Sequence, residues 1–179
     1  MSNRKVKLYI AASIDGYIAR PDGSLDWLEG LPNPNKIDYG YHAFYKTIDT
    51  VIMGRITYEE VLSFDVDWPY ANGKTYVVSS DRALKIKTKN TWLIPEDLVN
   101  TVRMMKDEEG KDIWLLGGGK LVTTFLNADL IDEMILFITP VILGEGIPLF
   151  PDKPKEATFE LVEAKAYETG MTGLTYRRK

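Results

Sequence analysis

Short apolar segments alternate with segments of helical periodicity through the first three quarters of the chain. Segments rich in β-branched and aromatic residues that end at turn-forming residues are typical of buried strands. The pattern predicts such strands at 6–13, 50–53, 74–78, 91–94 and 112–116. Apolar side chains at three- and four-residue spacing predict a helix with one buried face over 37–47, after a loop broken by glycines and prolines. Further helices are predicted over 56–62, from Pro95 to about Glu109 with Glu96 and Asp97 in the first turn, and over 120–127.

The last quarter of the chain has a different pattern. Strands are predicted at 133–138, 159–167 and 174–178, with no convincing helix between them. Helical crossovers connect parallel strands, whereas direct connections produce antiparallel ones. The sequence therefore predicts an α/β fold with a mixed sheet that is antiparallel at its C-terminal edge. With no repeat, low-complexity segment or long linker, we expect residues 1–179 to form a single domain.

Composition narrows the function classes. Twenty-two Lys and Arg against 26 Asp and Glu give a net charge of −4, which argues against binding to nucleic acid or to an anionic membrane. The chain has no cysteine, so it has no disulfide, thiolate nucleophile or Cys-based metal site. The longest apolar run, 135–143, is too short to cross a bilayer, and we expect a cytoplasmic location.

A triple glycine gives the strongest local signal for a ligand. Gly117, Gly118 and Gly119 follow a predicted strand and open a predicted helix at Lys120. Glycine lets a ligand approach the backbone, and the free amides of a helix start favour phosphate. A Rossmann fingerprint would need glycine at 122, and a P-loop would need glycine at 114 with Ser or Thr at 121, so neither motif is present. The alternative is a tight turn without a ligand.

Two more predicted strand ends carry groups that suit phosphate. Gly54, Arg55 and Thr57 form another strand-to-helix turn, where parallel sheets commonly bind ligands. Ser79 and Ser80 end the next strand, and Arg82 follows. For Arg55 alone the alternative is an ion pair on the surface, but three such strand ends favour a dinucleotide site.

Acid–base chemistry has few candidates. His42 is the only histidine, so no catalytic triad and no histidine-rich metal site can be assembled, and no metal is predicted. The candidate carboxyls are Asp38, near a predicted helix start, and Asp15, beside Gly16. The alternative for Asp38 is stabilisation of the helix N-terminus. Asp15 is better explained as a turn residue beside Gly16, and His42 as a helix-surface or half-buried residue.

Several segments together resemble a known family. They are 12–19, 51–59, 77–80, 113–119, 129–133 and 140–150, and their order and spacing cover nearly the whole chain. The chain resembles the dihydrofolate-reductase-like superfamily, and within it the C-terminal reductase domain of the bifunctional riboflavin-biosynthesis deaminase–reductase. This resemblance implies a three-layer α/β/α fold with a mixed, mostly parallel sheet of about eight strands. It also implies a homodimer.

The resemblance further implies an NADPH-dependent reductase. The cofactor-binding positions carried over are Ala12, Ile18, Gly54, Arg55, Ile56, Thr57, Ser79, Ser80, Arg82, Gly117, Gly118, Gly119, Lys120 and Leu121. Asp38 is carried over as the catalytic carboxylate.

The substrate stays open because the chain lacks the Asp-x-Pro-x-Leu-Thr-x-Arg segment of riboflavin reductases. The resemblance implies reduction of 5-amino-6-(5-phosphoribosylamino)uracil. Dihydrofolate or pterin reduction, and nucleotide binding without turnover, are the alternatives.

Overall fold

The computed structural model describes residues 4–179, so the first three residues of the predicted domain lie outside the described range. Helices are interspersed among the strands from β1 to β7, and strands alone follow. The elements are β1 (Val6–Ala12), β2 (Tyr17–Ala19), α1 (Asp26–Glu29), α2 (Tyr41–Lys46), β3 (Ile48–Gly54), α3 (Arg55–Ser63), β4 (Lys74–Val78), β5 (Thr91–Ile94), α4 (Leu98–Asp107), β6 (Asp112–Gly117), α5 (Gly119–Asn127), β7 (Glu133–Ile138), β8 (Ile147–Pro148), β9 (Phe159–Ala166) and β10 (Thr172–Arg178).

The main sheet has eight strands in the order β5-β4-β3-β6-β1-β7-β10-β9. The six strands from β5 to β7 are parallel to one another, while β10 runs antiparallel to β7 and β9 antiparallel to β10. The remaining strands, β2 and β8, form a separate two-stranded sheet. This mixed, mostly parallel sheet with antiparallel C-terminal strands confirms the predicted fold class. The parallel register also brings the carboxyl ends of β4, β3, β6, β1 and β7 to one edge of the sheet.

Helices cover both faces of this sheet. On one face, α4 and α5 pack on fully buried side chains of the central strands, such as Leu8 and Leu115, through Val102 and Phe125. On the other face, α2 and α3 pack through Phe44 and Tyr58 on a cluster that includes Trp114. Alternate side chains of a strand point to opposite faces, which is why Trp114 and Leu115 belong to different clusters.

Most predicted elements are confirmed, three of them (β4, β5 and β7) with the predicted bounds and most of the others within two residues. Two helices are shorter than predicted. The helix predicted over 37–47 begins only at Tyr41, because Tyr39 and Gly40 have left-handed backbone conformations that a helix does not allow. The helix predicted from Pro95 begins at Leu98, because Asp97 is also left-handed, at φ 51°. The short elements α1, β2 and β8 were not predicted.

The amino edge of the sheet is held together around a buried arginine. Arg4, whose side chain is 2% exposed, precedes β1 and donates to the Asp49 carboxylate, to Thr50 Oγ1 at 2.7 Å and to the Lys111 carbonyl at 2.5 Å. Asp49 also accepts the Lys111 amide at 2.8 Å. These bonds connect the start of β1 to β3 and to the start of β6, at the end of the sheet opposite the strand carboxyl ends.

We expect Asp49→Ala to lower the free energy of unfolding by about 3 kcal/mol, because it leaves the buried Arg4 guanidinium with only the longer, 3.9 Å ion pair to the exposed Glu108. Urea denaturation measures this value. The matched control is Asp26→Ala, which removes the partner of the exposed Arg20 and should barely move the midpoint. Equal effects of the two substitutions would contradict this role of Arg4.

Candidate functional site

Two neighbouring strands, β3 and β6, each turn directly into a helix through a glycine. Gly54 precedes α3 and Gly118 precedes α5, and no side chain caps either helix. A Cβ placed on Gly54 would lie 3.9 Å from the Gly117 carbonyl oxygen, and one on Gly118 would lie 3.6 Å from Thr57 Oγ1. The structure therefore brings the Gly-Arg-x-Thr turn and the glycine triplet side by side.

The structure requires glycine at two of the three positions of the triplet, for different physical reasons. Gly117 has a left-handed φ of 130°, and a Cβ on Gly119 would lie 2.3 Å from the Pro148 carbonyl oxygen. No such requirement applies at Gly118, where a Cβ would make ordinary contacts. We call the backbone surface between Gly54 and Gly118 the cradle, because a side chain at either position would contact the opposite turn.

The electrostatics of this cradle favour an anion. Both α3 and α5 have nine residues, and the first amides of any helix have no intrahelical acceptor. In α5 the amides of Gly119, Lys120 and Leu121 precede the first helical hydrogen bond, which runs from Val122 to Gly118. Two positive helix ends therefore lie side by side, and each of them favours an anion.

Arg55 lies in the first turn of α3, with its side chain 43% exposed. Its Nη1 donates to both carboxylate oxygens of Glu59, at 2.9 and 2.8 Å. The structure therefore contains the surface ion pair that Sequence analysis gave as the alternative for Arg55. Because the pair is exposed, its net stabilisation is small, and a phosphate can compete with Glu59 for the guanidinium. Ile56, the next residue, is 70% exposed.

The end of β4 lies next to this turn, since Val78 is opposite Gly54 in the sheet. Ser79 Oγ accepts the Asp81 amide at 3.1 Å, and Ser80 is exposed. Arg82 extends instead to Glu96, with which it forms an exposed ion pair. The structure thus places the serines beside the Arg55 turn and places Arg82 in a separate interaction.

The end of β1 continues the same edge on the other side of β6. Ala12 is buried, and Ser13 Oγ donates to Asp15 at 2.6 Å. Asp15 also accepts the backbone amides of Leu143 and Gly144, and the Ser13 bond is the main cause of its lowered pKa. Asp15 therefore joins the turn after β1 to the loop after β7.

Ile18 is one of the cofactor-binding positions that the resemblance implies. It lies on β2, where its half-buried side chain packs against the core that α4 and α5 cover. Its contact with a cofactor stays a prediction.

Asp38 lies just before α2, where its carboxylate accepts the backbone amides of Gly40 at 3.0 Å and His42 at 3.1 Å. The His42 ring donates a third hydrogen bond from Nδ1, at 2.8 Å. These bonds, with the Gly40 amide as the largest contributor, lower the pKa of Asp38 to about 2. Asp38 is therefore ionised at neutral pH and accepts hydrogen bonds. The pairing with His42 was missed, although the four-residue spacing of Asp38 and His42 was visible in the sequence.

Two cavities lie away from the predicted cofactor-binding residues, and Tyr39 and Gly40, which follow Asp38, line one of them. One, of about 260 Å³, is at the amino edge beside Asp49 and Lys111. The other, of about 230 Å³, is on the far flank of α2 between Tyr9, Phe137 and Tyr167. Neither is lined by a predicted cofactor residue. Both cavities are formed by side chains around the ends of α2, whereas the cradle is formed by the backbone of Gly54, Gly117 and Gly118.

Two absences hold for residues 4–179. None of their helices is long and apolar enough to cross a membrane. Nor do these residues place three or more His, Asp or Glu side chains where they could hold a metal ion.

Comparison with known proteins adds to this geometry. YwjB of Bacillus subtilis (strain 168), named an uncharacterized protein, is 40% identical over 164 residues, which is 92% of each chain. A crystal structure from Shewanella sp. PV-4, provisionally named a riboflavin biosynthesis protein, is 35% identical with a TM-score of 0.88, covering 98% of this chain and 99% of that one. Dihydrofolate reductase from Enterococcus faecalis, complexed with NADP(H), has a TM-score of 0.70 at 20% identity, covering 100% of this chain and 98% of that one, which shows the shared fold.

The family comparison covers almost the entire described chain. The sequence model of the RibD C-terminal domain matches residues 4–172. This match confirms the resemblance predicted from the sequence. The chain belongs to the RibD C-terminal domain family, a reductase family of riboflavin biosynthesis.

Proposed function

We propose that this protein is an NADPH-dependent reductase of a small heterocyclic substrate of the type of 5-amino-6-(5-phosphoribosylamino)uracil, working in the cytoplasm. The observation that carries the proposal is the meeting of two uncapped helix N-termini at Gly54 and Gly118. Such a junction suits the pyrophosphate of a dinucleotide. The membership of the RibD C-terminal domain family supports reduction as the reaction.

The residues around the cradle fit the rest of NADPH. Arg55 and the serines at the end of β4 lie on one side of it and suit a 2′-phosphate. The end of β1 lies on the other side, since β6 separates β3 from β1 in the sheet. Ala12 would then line the nicotinamide. NADPH supplies a hydride when bound, and this chain's residues supply its orientation.

We keep Asp38 as the carboxylate of the site, at the start of α2. With a pKa of about 2, it would accept hydrogen bonds from a substrate or from another side chain. A separate group would have to donate the proton. Dihydrofolate is the second substrate to test, because a carboxylate before α2 also suits the N–H groups of a pterin ring.

We expect Arg55→Ala to weaken NADPH binding at least about tenfold and to leave NADH binding unchanged, because only NADPH carries the 2′-phosphate. Glu59→Gln should tighten NADPH binding, since it releases Arg55 from its ion pair. Titration of tryptophan fluorescence measures both affinities.

The matched control for these variants is Arg103→Ala. Arg103 is an exposed arginine on α4, which covers the other face of the sheet. Equal losses of NADPH and NADH affinity in Arg55→Ala would contradict the assignment of Arg55 to the 2′-phosphate.

We also propose that the protein is a homodimer in which β9 pairs with its copy. This strand forms the outer edge of the sheet, and Leu161 and Val162 are 52% and 47% exposed. A long exposed edge with apolar side chains is unusual in a monomer. Antiparallel pairing of Phe159–Ala166 with itself places Glu160 opposite Lys165 of the second copy, twice.

We expect sedimentation of the wild-type protein to give about twice the 20.3 kDa of one chain. Lys165→Glu should weaken the dimer, because it places like charges opposite each other. Adding Glu160→Lys should restore it by reversing both pairs. A monomeric wild-type protein, or a double variant no better than Lys165→Glu, would contradict pairing through β9.

A further inference from the structure

Asp15 makes more hydrogen bonds than its own turn requires. Its carboxylate accepts the Ser13 hydroxyl at 2.6 Å, within the turn after β1. It also accepts the backbone amide of Leu143 at 3.1 Å and that of Gly144 at 2.7 Å, in the loop after β7. Hydrogen bonds to an ionised carboxylate are stronger than those between neutral groups. Asp15 therefore ties together two segments that are 128 residues apart in the sequence.

These two segments, residues 13–16 and 141–149, form one structural unit that we call the loop pair. Backbone hydrogen bonds close it at both ends, from the Ile14 amide to the Val141 carbonyl at 2.8 Å and from the Leu149 amide to the Gly16 carbonyl at 2.9 Å. The loop pair is thus anchored at its ends by backbone, and the Asp15 carboxylate lies between the two anchors.

The Asp15 carboxylate holds the middle of the second segment in place. Within the described part of the chain, residues 142–145 hydrogen-bond to other segments only through the Leu143 and Gly144 amides that Asp15 accepts. In residues 4–179, apart from the chain neighbours, no heavy atom lies within 4 Å of the place of a Cβ on Gly144. Packing therefore adds little at this glycine. Loss of the carboxylate would free residues 142–145 while both ends of the loop pair stay bonded.

The loop pair borders the cradle. Its residue Pro148 packs against the start of α5, where a Cβ on Gly119 would lie 2.3 Å from the Pro148 carbonyl oxygen. Its first segment directly continues β1, and strands β1 and β3 flank β6 on opposite sides. Since β6 ends at Gly117 and β3 ends at the Arg55 turn, the loop pair and Arg55 lie on opposite sides of the glycine triplet.

The loop pair also exposes two large apolar side chains. Ile14 is 59% exposed and Ile142 is 69% exposed. Their backbones are adjacent, because the Ile14 amide donates to the carbonyl of Val141, the residue before Ile142. Single exposed apolar side chains are common, but these two lie at the carboxyl edge, where parallel sheets bind ligands. Apolar side chains suit an uncharged ring, whereas Arg55 suits a phosphate.

We propose that Asp15 positions the nicotinamide half of NADPH, by holding residues 142–145 beside the turn after β1 so that Ile14 and Ile142 contact the uncharged dihydronicotinamide ring. This inference rests on the proposed function and deepens it, since it assigns residues to the other end of the cofactor. A dinucleotide with its pyrophosphate in the cradle extends along the sheet edge in both directions. The charge of Arg55 on one side and the apolar loop pair on the other then decide which end lies where.

The test compares NADPH with adenosine 2′,5′-bisphosphate, which has the adenosine and the 2′-phosphate of NADPH but lacks its nicotinamide half. Asp15→Asn keeps the size of the side chain but replaces one acceptor oxygen with a donor. Because Leu143 and Gly144 bond different oxygens, the variant can accept only one of the two amides in this geometry. We expect it to weaken NADPH binding at least about tenfold and to leave the affinity for the bisphosphate unchanged. Isothermal titration calorimetry measures both affinities.

Asp22→Asn is the matched control. Asp22 is another exposed aspartate in a turn, and it accepts the Ser24 amide at 3.0 Å, two residues away. It does not join distant segments, so both affinities should equal those of the wild-type protein.

A second variant leaves every recorded hydrogen bond in place and changes only an exposed side chain. We expect Ile142→Ser to weaken NADPH binding about fivefold, through the loss of apolar contact, and to leave the bisphosphate affinity unchanged. Val66→Ser is its control, because Val66 is 65% exposed on the segment that follows α3 and should not affect either ligand.

The outcomes separate this inference from the proposed function. An unchanged NADPH affinity in Asp15→Asn, or equal losses for NADPH and the bisphosphate, would overturn the role of Asp15. Wild-type NADPH affinity in Ile142→Ser would refute the contact with the ring. A wild-type protein that binds neither NADPH nor the bisphosphate would instead remove the proposed function.

Discussion

The parallel pairing of β3 with β6 is the constraint on which the candidate site depends. Gly54 and Gly117 end these neighbouring strands, so the helices that follow begin within about the width of one phosphate of each other. A strand inserted between β3 and β6 would double the separation of the two turns, from about 4.8 Å to about 9.6 Å. The proposed anion site thus follows from strand order and backbone conformation, and the side chains around it would adjust its specificity.

The buried Arg4 network and the candidate site lie at opposite edges of the sheet. Arg4 connects β1, β3 and β6 at the amino edge, in a network that needs burial and full pairing. The carboxyl edge instead has exposed groups in weak pairs, such as Arg55 with Glu59 and Asp38 with His42. Weak exposed pairs can exchange one partner for a ligand at small cost. A rigid amino edge allows the other edge to keep groups that are available for binding.

The sequence predicted the strands well because short apolar runs between turn residues have few alternatives. The helix predictions were wrong where the backbone leaves the helical conformation. The apolar periodicity continues from Ile37 to Ile48, but Tyr39 and Gly40 have left-handed conformations, so the helix begins only at Tyr41. The pairing of β2 with β8 joins residues far apart in the chain, and no local pattern encodes it. For the same reason the sequence could locate the glycine turns but not the adjacency that makes them one cradle. The backbone hydrogen bonds that lower the pKa of Asp38 are likewise visible only in the structure.

The central claim is that the cradle between α3 and α5 binds a dinucleotide phosphate. The most direct measurement is a fluorescence titration of the wild-type protein with NADPH and, separately, NADH, with the four tryptophans as reporters. The account predicts binding of both, with NADPH tighter at least about tenfold, which corresponds to about 1.4 kcal/mol. Binding of neither nucleotide would contradict it, and the reductase proposal would then fall while the fold and the family would stand.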